Sequence, residues 1–279
     1  MTAPDAACTM PYSFFIIFLL ILFSHSLHAA PAQKSSFFAP EISYRIVQAI
    51  PQNAELFTQG LAIEGDYIWQ SSGLYGQSFL QKRLKTQTKP LNEFYYPWHE
   101  FAEGIALVGD HLYGLTWKSG RVYRWHKHTL KTDRTFEIQG EGWGMSQWQH
   151  TLAVSNGTNT INFYNPADMT LTRSIEVTDH GRVINNLNDL TSDKKSLWAN
   201  IWHSNTVIKI NAKSGAIEGY LDLSEIADNH RSNNRSNNNE AVLNGLAWDN
   251  NTQTLWLTGK LWDTLYQLQL LVPAEHAIR

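Results

Sequence analysis

A two-strand pattern recurs five times along this chain, and no other feature restricts the fold as tightly. One copy is Phe101 to Trp117, FAEGIALVGDHLYGLTW: an acid followed by Gly, a short apolar run, a polar turn, and a second strand ending in Trp. The same succession starts at Gln59-Gly60-Leu61, Trp143-Gly144-Met145, Asn188-Asp189-Leu190 and Asn244-Gly245-Leu246. The marker positions 60, 104, 144, 189 and 245 are spaced by 44, 40, 45 and 56 residues, and the long last step holds an insertion, Asn229 to Asn239 (NHRSNNRSNNN). A period in the forties, with short strands and no helical period, is the signature of β-propeller blades. Five units predict an all-β, five-bladed β-propeller.

The repeat also locates a site. Equivalent residues of equivalent blades lie on a ring around the propeller axis. Just before the markers stand Gln59, Glu103, Trp143, Asn188 and Asn244; at the ends of the second strands stand Gly73, Trp117, Gly157, Trp202 and, after two extra turn residues, Lys260. One carboxylate, three amides, one Lys and three Trp are thereby expected at a common axial mouth. Aromatic walls with a few polar groups are the usual character of a small-molecule pocket.

Outside the repeat the chain reads in three parts. Residues 1–32 have the form of a secretory signal peptide. Phe14 to Phe23 (FFIIFLLILF) is an apolar core too short to span a bilayer comfortably, and Ala30-Pro31-Ala32 fits a small-x-small cleavage site, with Ala29 and Ala30 as alternatives. A secreted or periplasmic protein is expected, with an uncleaved anchor as the alternative, since the leader has Asp5 and no Lys or Arg before its apolar run. Residues 33–279 are expected to be one propeller domain. Its first strand, around Ile42 to Ile50, is expected to close the ring, and the 229–239 tract is expected to be a loop that activity does not need. Cys8, within the leader, is the chain's one cysteine, so the mature domain has no disulfide, thiol nucleophile or Cys zinc site. The formal net charge of -3 does not suggest nucleic acid as a partner, and a monomer is expected.

Several short motifs carry a family resemblance. Phe57-Thr58-Gln59-Gly60-Leu61, Gly73-Leu74-Tyr75-Gly76-Gln77-Ser78, Gly140-Glu141-Gly142-Trp143-Gly144, Asn185-Asn186-Leu187-Asn188-Asp189-Leu190 and Thr258-Gly259-Lys260-Leu261-Trp262 resemble, in order, the glutaminyl-peptide cyclotransferases of plant and bacterial type. The resemblance implies a secreted five-bladed propeller, unrelated to the zinc fold of the animal enzymes. It implies an activity that converts the N-terminal glutamine of peptides or proteins to pyroglutamate and releases ammonia. It puts the family's acid on Glu103, its aromatic pocket on Trp117, Trp143 and Trp202 with Phe57 and Phe101 nearby, and its polar substrate contacts on Gln59, Asn188 and Lys260. Asp189 departs from the pattern, which more usually has Glu there.

The chemistry implied needs no cofactor, although an axial channel lined with carbonyls and amides could also hold a structural metal. Glu103 would act as general base and then general acid. Lys260 would stabilise an oxyanion, hold Glu103 ionised, or only form a channel salt bridge. Glu141 is a rival carboxylate, placed behind Trp143 by its spacing. His203 follows Trp202, and strand alternation points it away from that side chain; His126 and His128 belong to an outer turn. Two other functions suit a propeller: a binding platform without catalysis, and a metal-dependent hydrolase or lactonase.

Overall fold

A computed structural model describes residues 37–233 and 239–271. The leader expected over residues 1–32 lies outside them. Five four-stranded antiparallel sheets make up nearly all of the rest, one sheet for each repeat, so the protein is a five-bladed β-propeller. The inner strands are Thr58–Glu64, Ala102–Val108, Met145–Trp148, Leu187–Ser192 and Leu243–Asp249. Each runs antiparallel to the second strand of its own unit: Tyr67–Ser72, His111–Thr116, Thr151–Ser155, Leu197–Ile201 and Thr254–Gly259. The strand Tyr44–Pro51 pairs with the last strand, Thr264–Leu270, and completes the fifth blade, as the sequence suggests.

Blade faces are apolar because each is covered by the next blade, which is why the inner strands read as nearly unbroken buried runs. Five buried clusters result, one in each gap between neighbouring blades. Met145, Leu152 and Val154 meet Tyr113, Leu115 and Val122 in one gap; Leu61, Ile63 and Ile68 meet Ala247, Trp256 and Leu265 in another. At the axis the inner strands approach so closely that a side chain has no room at the first three markers, Gly60, Gly104 and Gly144. A Cβ on Gly60 would lie 2.6 Å from the Ile105 nitrogen, and one on Gly104 would lie 2.6 Å from the Gly144 Cα. The fourth marker is an acid instead: the buried Asp189 carboxylate accepts hydrogen bonds from its neighbour Leu190 N (2.9 Å) and from Leu246 N of the fifth blade (2.7 Å).

One expectation needs correction. The 229–239 tract is not loop throughout: a helix, Ser224–Asn233, takes in its first half. An Asn- and Ser-rich segment is a poor helix former, and its tertiary contacts supply the reason. Ile226 and Ala227 are buried, and the His230 ring stacks on Trp262 at 4.3 Å while its Nε2 meets the Tyr266 hydroxyl at 2.8 Å. Residues 234–238 lie outside the described part.

Candidate active site

In four of the five blades the register of the inner strand slips at the same place, beside the marker: between Thr58 and Gly60, Ala102 and Ile105, Leu187 and Leu190, and Leu243 and Leu246. A bulge re-aims side chains and frees backbone groups from the ladder, and here the neighbouring blade satisfies the freed carbonyls. Ser71 Oγ donates to Glu103 O (2.6 Å), Ser155 Oγ to Asn188 O (2.6 Å), Asn200 Nδ2 to Leu243 O (2.9 Å) and Asn244 Nδ2 to Thr58 O (3.0 Å). In this way the blades are cinched together around the residues that the repeat singles out.

Those residues share one cavity of about 310 Å³ at the axial mouth. It is lined by Phe57, Gln59, Phe101, Glu103, Trp117, Trp143, Asn188, Trp202 and Lys260, and also by Leu74 and Glu240. The nine residues to which the resemblance assigns the acid, the aromatic pocket and the polar contacts therefore all lie on its wall. Asn244, the third amide of the expected ring, does not line it. Its side chain turns toward the first blade, where Nδ2 donates to Gln59 Oε1 (2.8 Å) and fixes that amide's orientation.

The aromatic wall has two parts. Phe101 stands edge-on to Trp117 (centroids 5.6 Å apart) and Trp143 edge-on to Trp202 (5.5 Å). The Glu141 carboxylate joins the two parts: its Oε2 accepts from Trp117 Nε1 (2.8 Å) and from Trp143 Nε1 (2.9 Å). Glu141 is thus a support behind the wall. Gly73 and Gly157 occupy strand ends where other blades carry Trp or Lys, because a neighbouring ring fills each space. A Cβ on Gly73 would strike the Phe101 ring, and one on Gly157 would lie 2.6 Å from Trp143 Cζ2.

The polar groups face the cavity almost uncompensated. Glu103, Asn188 and Lys260 are buried. Among the described residues, no hydrogen bond or ion pair holds the Glu103 carboxylate, the Asn188 carboxamide or the Lys260 ammonium, although Lys260 Nζ lies over the Phe57 ring at 4.7 Å. Burial pushes the Glu103 carboxyl well above the usual carboxylate range; the Lys260 charge pulls it back, and Asp189 and Glu141 push it up further. Burial pushes Lys260 down from the ordinary lysine range, opposed by Glu103 and Glu240. The result is a buried carboxyl that can hold or release a proton nearer neutrality, in a small aromatic site with a cation on the same wall.

Sequence reasoning missed three features here. Leu74 and Glu240 reach the cavity from loops that have no place in the repeat. His203 does not point away from Trp202: the strand ends at Ile201, His203 has φ +58°, and its ring lies 4.3 Å from that of Trp202. The positive φ breaks the alternation on which the expectation rested. Among the described residues, no group of three or more His, Cys, Asp or Glu is placed to hold a metal ion.

Comparison with known proteins agrees with the fold and with the family resemblance. Residues 18–270 match the family model described as glutamine cyclotransferase. A glutaminyl-peptide cyclotransferase of Arabidopsis thaliana is 33% identical over 251 residues, covering 85% of this chain and 76% of that protein. The crystal structure of Myxococcus xanthus glutaminyl cyclase matches with a TM-score of 0.78 at 30% identity, over 83% of this chain and 98% of that one.

Proposed function

Because this chain belongs to the glutamine cyclotransferase family, we propose that it is a glutaminyl-peptide cyclotransferase, an acyl-transfer enzyme acting on peptides or proteins that begin with glutamine. The α-amine of the substrate attacks its own γ-carboxamide carbon. The new C–N bond closes a five-membered ring, the bond to the amide nitrogen breaks, and pyroglutamyl peptide and ammonia leave. One proton must pass from the attacking amine to the departing nitrogen, and no oxidant, reductant or co-substrate is required.

The observation that carries this reading is the Glu103 carboxyl, desolvated and without a protein partner among the described residues, on the wall of an aromatic cavity with a buried ammonium. As a general base Glu103 takes the amine proton, and as a general acid it delivers that proton to the leaving nitrogen. Lys260 and the Asn188 carboxamide supply the positive charge and N–H donors that a tetrahedral oxyanion requires. Trp117, Trp143, Trp202, Phe57 and Phe101 pack the aliphatic part of the glutamine and hold its two ends together. Such positioning contributes up to ~7–11 kcal/mol in favourable intramolecular reactions. Gln59, oriented by Asn244, reads the substrate backbone.

The apolar leader supports work outside the cytoplasm, secreted or periplasmic. The test is incubation of the mature protein with a Gln-initiated peptide, followed by mass spectrometry for loss of ammonia. Conversion that survives EDTA is expected. Failure to convert any Gln-initiated peptide, or release only of hydrolysed products in a metal-dependent manner, would sink the reading.

A further inference from the structure

Glu240 is a second carboxylate on the cavity wall, on the loop that returns from the Asn-rich insertion. One backbone hydrogen bond ties its segment to the residue opposite, from Lys260 N to Val242 O (2.9 Å), and Val242 N donates to Glu240 O within the segment (2.8 Å). On its other side, Glu240 Oε1 lies 3.5 Å from His203 Nε2, and the His203 ring rests on Trp202. Glu240 is half-buried, whereas Lys260 and Glu103 are buried.

The reaction puts a demand on this arrangement that Glu103 and Lys260 cannot meet alone. A buried ammonium needs a nearby negative charge to remain charged. Glu103 supplies one only while it is ionised. Burial favours its neutral form, so before an oxyanion has formed to take up the charge, a protonated Glu103 leaves Lys260 with no buried partner. We propose that Glu240 is a positioning residue: it is the standing counter-charge that keeps the Lys260 ammonium in place while Glu103 changes charge, a role that rests on the cyclisation reading above. Glu240 is suited to it, because water reaches it at the mouth and the reacting atoms exchange no proton with it. Glu103 and Glu240 both oppose the effect of burial on Lys260, and Asp189 and Glu141 act on Glu103 from behind.

The test has one arm that needs no catalysis. Competitive acetylation of the folded protein with acetic anhydride, read for the Lys260 peptide by mass spectrometry between about pH 6 and 11, reports the protonation of Lys260. Loss of a nearby opposite charge moves such a group by about one unit or more. In Glu240→Gln the Lys260 midpoint is expected to fall by about that much, and Glu240→Asp is expected to restore most of it. In the second arm, Glu240→Gln is expected to lose about tenfold in kcat at pH 8 with KM within about twofold, and its alkaline limb to shift with the labelling midpoint. An unmoved labelling midpoint overturns the proposal, and so does a change confined to KM, which would make Glu240 a substrate contact. If the wild-type protein forms no pyroglutamate, the functional reading fails, while the labelling arm still decides whether Glu240 holds the charge of Lys260.

Discussion

Glu103→Gln is the substitution from which the structure permits the most to be calculated. The change replaces one oxygen with NH2, and because no protein group bonds the carboxylate among the described residues, no partner is lost. Wall packing and the bulge at Ala102 to Ile105 are untouched. The variant loses only the capacity to carry a proton. General acid–base groups contribute ~10²–10⁴ in rate, or about 2.7–5.4 kcal/mol of barrier. Glu141 is occupied by two indole N–H groups and cannot substitute, so a loss of about 10³ in kcat is expected. Binding of a non-cyclising Gln-peptide analogue, followed by tryptophan fluorescence, is expected to stay within a few-fold. The wild-type acid limb of kcat/KM is expected well above the usual carboxylate range, because burial raises Glu103, and to vanish in the variant. Stability follows the same sign. An acid whose folded-state pKa is raised ionises more readily when unfolded, so it costs stability as pH rises from the ordinary carboxylate range through its folded value. Glu103→Gln is therefore expected to melt no lower than wild type near neutrality, with any gain vanishing below about pH 4. Turnover of the variant within a few-fold of wild type would refute the proton-transfer argument and leave positioning by the aromatic wall to explain the rate.

Three other substitutions or deletions separate support from chemistry. Glu141→Gln keeps one acceptor for the two indole N–H groups but loses its charge; a rise of about tenfold in KM with much of kcat retained is expected in steady-state kinetics, at ~1.5–3 kcal/mol for a bond to a charged group. Asp189→Asn keeps one acceptor and places its NH2 group against one of the two N–H groups, Leu190 or Leu246, and a loss of about 1–3 kcal/mol in denaturant unfolding is expected. Deleting residues 229–239 removes His230 from its stack on Trp262 and shifts the approach to Glu240; thermal melting is expected to drop and activity to fall with it, whereas a loop without that helix segment would be dispensable.

The ring of candidate residues was legible because a repeat converts sequence position into angular position. Gln59, Glu103, Trp143 and Asn188 stand at one offset from their markers, Trp117, Trp202 and Lys260 at the end of the following strand, and the fold brings them to one cavity. Where the repeat is silent, the reading failed for physical reasons. Glu240 and Leu74 lie on loops whose course is set by tertiary contacts. Asn244 stands at a ring offset, yet its amide is spent on Gln59 and Thr58. Helix propensity gave no sign of the end of Ser224–Asn233, since a stacked His230 outweighs a run of poor helix formers.

The pairing of Tyr44–Pro51 with Thr264–Leu270 joins residues between 213 and 226 positions apart. Closing a flexible loop of that length costs roughly 5 kcal/mol of chain entropy, and contacts of such separation form slowly. Four blades can assemble from contiguous sequence as it is synthesised, but the fifth waits for the last strand to meet one of the first. Until residue 270 has left the ribosome, the propeller is a ring with a gap. A single late zippering step then locks the circle.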